Sequence, residues 1–148
     1  MFKANSLLFT TISIILVLVH LYIGHYFAPN GIDKLPVTMI IITILIFQFT
    51  KFKILVKLGV TLSLFLLLDI GLKLYAGGTH DYEGLDWMNL FYFIGIVICS
   101  PIIFYKVFKS NELINTTKIL TVVIFIVFLY FQNYLFGNLG VGKSYPMN

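Results

Sequence analysis

The chain has 148 residues, of which 59% are hydrophobic, 17% aromatic and 11% charged. A soluble domain carries charge on about a quarter of its residues, so this composition excludes a water-soluble fold and predicts an integral membrane protein. The net charge of +4 comes from 10 basic residues, all of them lysine. With no forked guanidinium, and with its lysines at the ends of apolar runs rather than on a polar face, the chain is not expected to bind nucleic acid or to clamp phosphate.

The first predicted span, 7–27, follows the capping residues Asn5 and Ser6 and stops at Ala28-Pro29-Asn30-Gly31, a turn cluster. Lys3 ahead of it resembles the start of a signal peptide. The apolar run nevertheless exceeds the about 7–15 residues of an h-region and no small-x-small cleavage site follows, so it reads as a retained span. The second span, 36–52, has Pro36 in its first turn, where proline is tolerated. Its apolar part, 36–50, reaches about 22 Å at helical rise against roughly 30 Å of hydrocarbon, so Lys51 and Lys53 are expected to prolong the helix and snorkel to the interface.

The third span, 53–76, contains Gly59 and Ser63, a small-x-x-x-small pair expected to make a close helix contact. The fourth, 88–108, is expected to take Asp86 as its N-cap and to kink at Pro101. Asn115-Thr116-Thr117 begins the fifth, 117–137, which leaves a glycine-rich tail. Cys99, the single cysteine, falls inside an apolar run and is expected to be a buried thiol, with no intrachain disulfide possible. The expected fold is all-α, a polytopic membrane protein in which one domain forms a bundle of five transmembrane helices.

Lysine placement sets the expected orientation. Lys3, Lys51, Lys53, Lys57, Lys106, Lys109 and Lys118 share one side of the five-span arrangement, and Lys34, Lys73 and Lys143 the other, so the N-terminus is predicted to be cytoplasmic and the C-terminus extracytoplasmic. The membrane is expected to be a bacterial-style inner membrane. Asp33, Asp69, Asp81, Glu83 and Asp86 then fall toward the outside, leaving Glu112 as the cytoplasmic acid.

Four of the six acidic residues, one of the three histidines and the only tryptophan lie between Asp69 and Asn89. An ionisable residue inside a span is costly enough to mark a functional hypothesis. His20 and Asp69 sit at similar depth, about 4–6 Å outside the middle of their spans at helical rise, with Gln132 and Asn133 in the same layer. Lys73 and His25 continue the cluster toward the surface. These six, His20, His25, Asp69, Lys73, Gln132 and Asn133, are the candidates for binding a ligand or proton. His80, Asp81, Glu83 and Asp86 are candidates for attracting a cation at the outer loop, although they lack the alternating carboxylates and closing bidentate glutamate of a calcium loop. Tyr22, Tyr26, Tyr75, Tyr82 and Trp87 suit the aromatic belt at the same boundary.

The leading functional expectation is a small accessory subunit without catalysis of its own, surrounded by lipid and bound to a larger membrane-protein partner or to further copies of itself. The alternative is a pocket or pathway for a proton, cation or lipid head group opening to the outer leaflet, in which Asp69 and His20 exchange protons. A second alternative is an intramembrane metal-dependent enzyme using the histidines. His20 and His25 stand about 140° apart around a helix, which does not bring both to one ion, and no cofactor is expected.

Asp33-Lys34 ahead of the second span, an acid late in the third, and Gly78 leading to Asp86-x-x-Asn89 and Gly95 in the fourth resemble the VanZ-like membrane proteins over roughly two thirds of the chain. The histidine that usually follows the Asp-Lys pair and the arginine of the loop are absent, and a fifth span is added. The resemblance implies a membrane-embedded helical protein and little about chemistry.

Overall fold

The computed structural model describes residues 2–28, 30–76 and 82–141, with side chains from residue 6 onward. Among the described residues the fold is all-helical, without strands. In chain order come α1 (Phe2–Tyr26), the single turn α2 (Asn30–Asp33), α3 (Leu35–Ile44) running on into a π-helical turn (Leu45–Phe49), α4 (Ile54–Tyr75), α5 (Tyr82–Lys109) and α6 (Asn115–Phe136). Among the described residues five stretches are long and apolar enough to cross a membrane: Ser6–Tyr26, Asn30–Phe49, Ile54–Tyr75, Tyr82–Lys109 and Asn115–Phe136.

Two boundaries differ from the expectation for physical reasons. The second span does not gain its length from Lys51 and Lys53, which lie in a non-helical break; it starts upstream, where α2 turns the chain into the bundle before α3. The fourth span begins at Tyr82, so Asp86 stands in the second turn of α5 and is not its N-cap. Pro101 lies within α5 without ending it. The carbonyl that its missing N–H leaves behind belongs to Val97, and Ser100 Oγ donates to it at 3.2 Å.

Helices α1, α3, α4 and α5 form the core, with α1 against α4 and α3 against α5, while α6 leans on α4 and α5 from outside. The sequence dictates the buried stripes. On α3 and its π turn, Leu35, Met39, Ile42 and Ile46 recur at helical spacing and are all fully buried; on α4 the same holds for Phe65, Leu68 and Leu72, and on α5 for Met88, Cys99 and Ile103. On α6 only Thr121, Phe125 and Gln132 are buried.

Backbones approach closely where side chains vanish. Gly24 of α1 and Gly31 of α2 are in backbone contact, so a Cβ on Gly31 would meet Gly24 Cα, and Gly95 of α5 makes room for the Met39 thioether. The expected Gly59–Ser63 contact is absent. Both residues face outward, and a Cβ on Gly59 would meet nothing within 4 Å. Buried hydroxyls fold back onto the carbonyl four residues earlier, Ser13 on Phe9, Thr43 on Met39 and Thr121 on Thr117, which satisfies them without a partner helix.

At the lysine-rich end, side chains satisfy the break before α4. Lys51 N–H donates to Ser6 Oγ at 2.8 Å and Ile54 N–H to Glu112 Oε2 at 2.9 Å. The carboxylate of Glu112 therefore holds the positive end of α4. Lysines here also bond carbonyls at helix C-terminal ends, Lys57 with Phe47 O at 3.1 Å and Lys118 with Phe108 O at 2.9 Å.

Gly31→Ala is expected to lower thermal stability in detergent by about 1–3 kcal/mol, the usual cost of overpacking a tight contact. Gly59→Ala, at an open helical position, is expected to leave stability unchanged or raise it by up to about 1 kcal/mol. Thermal unfolding of the two variants side by side checks both.

Candidate functional site

Toward the end opposite the lysine-rich rim, α4, α5 and α6 enclose the densest buried polar group of the described residues. Asp69 and Lys73 stand one turn apart on α4, so both side chains share a face. Asp69 Oδ1 lies 2.7 Å from Lys73 Nζ, with the two side chains 1% and 2% exposed. From α6, Gln132 Nε2 donates to Asp69 Oδ2 at 2.9 Å and to Tyr92 Oη of α5 at 2.7 Å. A carboxylate oxygen can only accept, which fixes the amide with its nitrogen toward Asp69.

That orientation leaves Gln132 Oε1 buried without a hydrogen-bond partner. The residue is 3% exposed. An unmet buried acceptor costs about 1–3 kcal/mol. Thr61 Oγ1, about two turns along α4 toward the lysine-rich end, is also buried and unpartnered, but Thr61 does not line the cavity described next.

A cavity of about 320 Å³ adjoins the polar group. Lys73, Asn89 and Asn133 line it near the acidic end of the bundle, and Ile96, Ile126 and Leu129 line it one to two turns deeper, so its wall passes from polar to apolar with depth. Beyond α6 the chain folds back over this end. Asn89 Nδ2 donates to Gly137 O at 3.2 Å. Gly140, at φ +97°, lies against the Lys73 carbonyl, where a side chain would collide.

The structure divides the six residues expected to form one cluster. Asp69, Lys73, Gln132 and Asn133 come together around the cavity. His20 does not join them. Its Nε2–H donates to Gly31 O at 2.7 Å and its Nδ1 lies 2.8 Å from Thr38 Oγ1, so the imidazole ties α1 to α2 and α3. His25 donates through Nδ1 to Tyr75 O at 2.6 Å, meeting a carbonyl at the C-terminal end of α4. An exchange of protons between His20 and Asp69 has no direct contact to run through, because depth was shared but facing was not.

Glu83 and Asp86 are exposed on the first two turns of α5, near Trp87; His80 and Asp81 fall outside the described residues. Among the described residues no three His, Cys, Asp or Glu side chains converge as metal ligands. Sequence reasoning missed Tyr92, Asn89, Thr38 and Gly31. The first two carried a readable sign, since Asn89, Tyr92 and Ile96 recur at spacings that place them on one helix face.

Compared with known proteins, the chain matches no family model, no curated protein and no solved structure, so the resemblance to VanZ-like proteins gains no support from them.

Lys73→Met is expected to destabilise the protein by about 3–5 kcal/mol, because it strands a buried carboxylate. Combining it with Asp69→Asn should recover part of that loss. A double-mutant cycle read by thermal unfolding in detergent checks the coupling; strict additivity would contradict the pairing.

Proposed function

We propose that the protein is a small integral membrane binding protein whose cavity between α4, α5 and α6 takes the polar end of an amphiphile. The observation that carries this reading is the unpartnered, buried Gln132 Oε1 beside a cavity of about 320 Å³ whose lining passes from polar to apolar along the helices. That size lies in the about 300–1,000 Å³ range of ligand pockets, which combine apolar walls with a few fixed polar groups. A cation or proton pathway is less well supported by the same geometry. Asp69 already meets Lys73 through one oxygen and Gln132 through the other, which neutralises the charge that would attract a cation.

A role as an accessory subunit is the second reading, and α6 favours it. That helix buries three of its 22 residues and exposes Tyr130, Phe131 and Tyr134, with Tyr130 stacked on Tyr134 at 6.5 Å. Large exposed aromatic faces suit a larger membrane-protein partner or another copy of the chain as well as they suit lipid. We further propose residence in a bacterial-type cytoplasmic membrane, with the lysine-rich end in the cytosol and the cavity opening toward the outer leaflet, on the strength of the lysine asymmetry.

Protein extracted in mild detergent is expected to carry an amphiphile in near-stoichiometric amount by native mass spectrometry, and Leu129→Trp, which fills the cavity, is expected to lose it. A protein that flies bare in both forms, or a stoichiometric partner lost on Tyr130→Ala/Tyr134→Ala, would transfer support to the subunit reading. For orientation, a membrane-impermeant maleimide should label Asp86→Cys but not Asn111→Cys in intact cells; the reverse pattern would invert the topology.

A further inference from the structure

We infer that the amphiphile has an uncharged head group bearing a hydroxyl, such as a long-chain alcohol or an acylglycerol. This inference rests on reading the cavity as an amphiphile site and narrows its ligand. Three features of the lining lead to it. The first is charge. Asp69 and Lys73 are the only charged residues among the described lining, and they sit 2.7 Å apart as a neutral pair. An anionic or cationic head group would enter a buried site with no spare counter-charge, which costs far more than burying a hydroxyl that finds partners.

The second is the pattern of donors and acceptors. Gln132 Oε1 requires a donor. Tyr92 Oη accepts from Gln132 Nε2 at 2.7 Å, so its own O–H proton is left to donate. Tyr92 and Gln132 both line the cavity, so a guest that donates to one and accepts from the other would complete both. A hydroxyl both donates and accepts. A choline head group has no donor to offer, and a phosphate monoester brings charge with its acceptors.

The third is the depth profile. Ile96, Ile126 and Leu129 form the apolar part of the lining, and Phe93 and Ile126 are exposed on the outer surface of the bundle. A hydroxyl seated at Gln132 would have its hydrocarbon chain running along this apolar wall toward the bilayer.

The test uses the full-length chain reconstituted in phosphatidylcholine vesicles and a photoreactive diazirine 1-monoacylglycerol. Saturable cross-linking to α5 or α6 peptides is expected, displaced by unlabelled 1-oleoylglycerol and not by lysophosphatidic acid of the same chain. Gln132→Leu is expected to cut labelling by about tenfold, the worth of roughly one hydrogen bond, and Leu129→Trp, which leaves the polar group intact, to abolish it. Size-exclusion profiles and melting curves confirm that each variant is folded; should Gln132→Leu not fold, competition and Leu129→Trp still decide the matter. Displacement by lysophosphatidic acid in preference to oleoylglycerol would overturn the uncharged-hydroxyl assignment while leaving the cavity as an amphiphile site. Labelling of folded Gln132→Leu at the wild-type level would overturn the assignment too. Unsaturable labelling with both lipids, indifferent to Leu129→Trp, would mean water alone fills the cavity and would sink the amphiphile reading with it.

Discussion

Hydrocarbon offers no hydrogen bonds, and that single property of the solvent governs this molecule. Every polar group carried into the apolar slab must find its partner inside the protein. Most do so locally, as the serine and threonine hydroxyls that return to their own helix show. The few that cannot are used as ties. His20 joins α1 to the entry of the second span through Gly31 and Thr38, Glu112 joins the α5–α6 connection to the start of α4, and Gln132 joins α6 to α4 and α5 at once. Since apolar side chains gain little from leaving one hydrocarbon for another, these ties and the glycine-lined crossings do the positioning that a hydrophobic core does in water.

The five spans were legible because hydropathy reports the bilayer directly, and the polar inventory of the site was legible because ionisable residues are so rare in such a chain. What sequence could not supply was rotation. His20 and Asp69 lie at matching depths, yet a helix places neighbours of equal depth on any of its faces, and α1 turns His20 toward α2 and α3. The same limit explains Gly59 and Ser63, whose spacing suits a close contact and whose face points outward. The upstream start of the second span was hidden for a different reason. Asn30 and Gly31 read as turn residues, and they do form a turn; it is a helical one, made possible by the missing side chains at Gly24 and Gly31.

Gln132 is the point at which the fold and the proposed binding site meet. Its nitrogen is committed to holding three helices together, which leaves its oxygen buried and without a partner. An apolar residue there would have avoided the unmet acceptor and lost the tie. The cavity beside it, polar toward the surface and apolar toward the middle of the slab, has the profile of an amphiphile and repeats on a small scale the gradient of the bilayer around it.

The spacing of Asp69 and Lys73 within one helix bears on biogenesis. A segment that carries its own counter-ion one turn away enters the bilayer already neutralised, so α4 needs no help from chain that the ribosome has yet to make. Gln132 emerges 63 residues after Asp69, and its arrival completes a site whose charges have been balanced since α4 was inserted. The later span α6 thus closes the chamber instead of rescuing it.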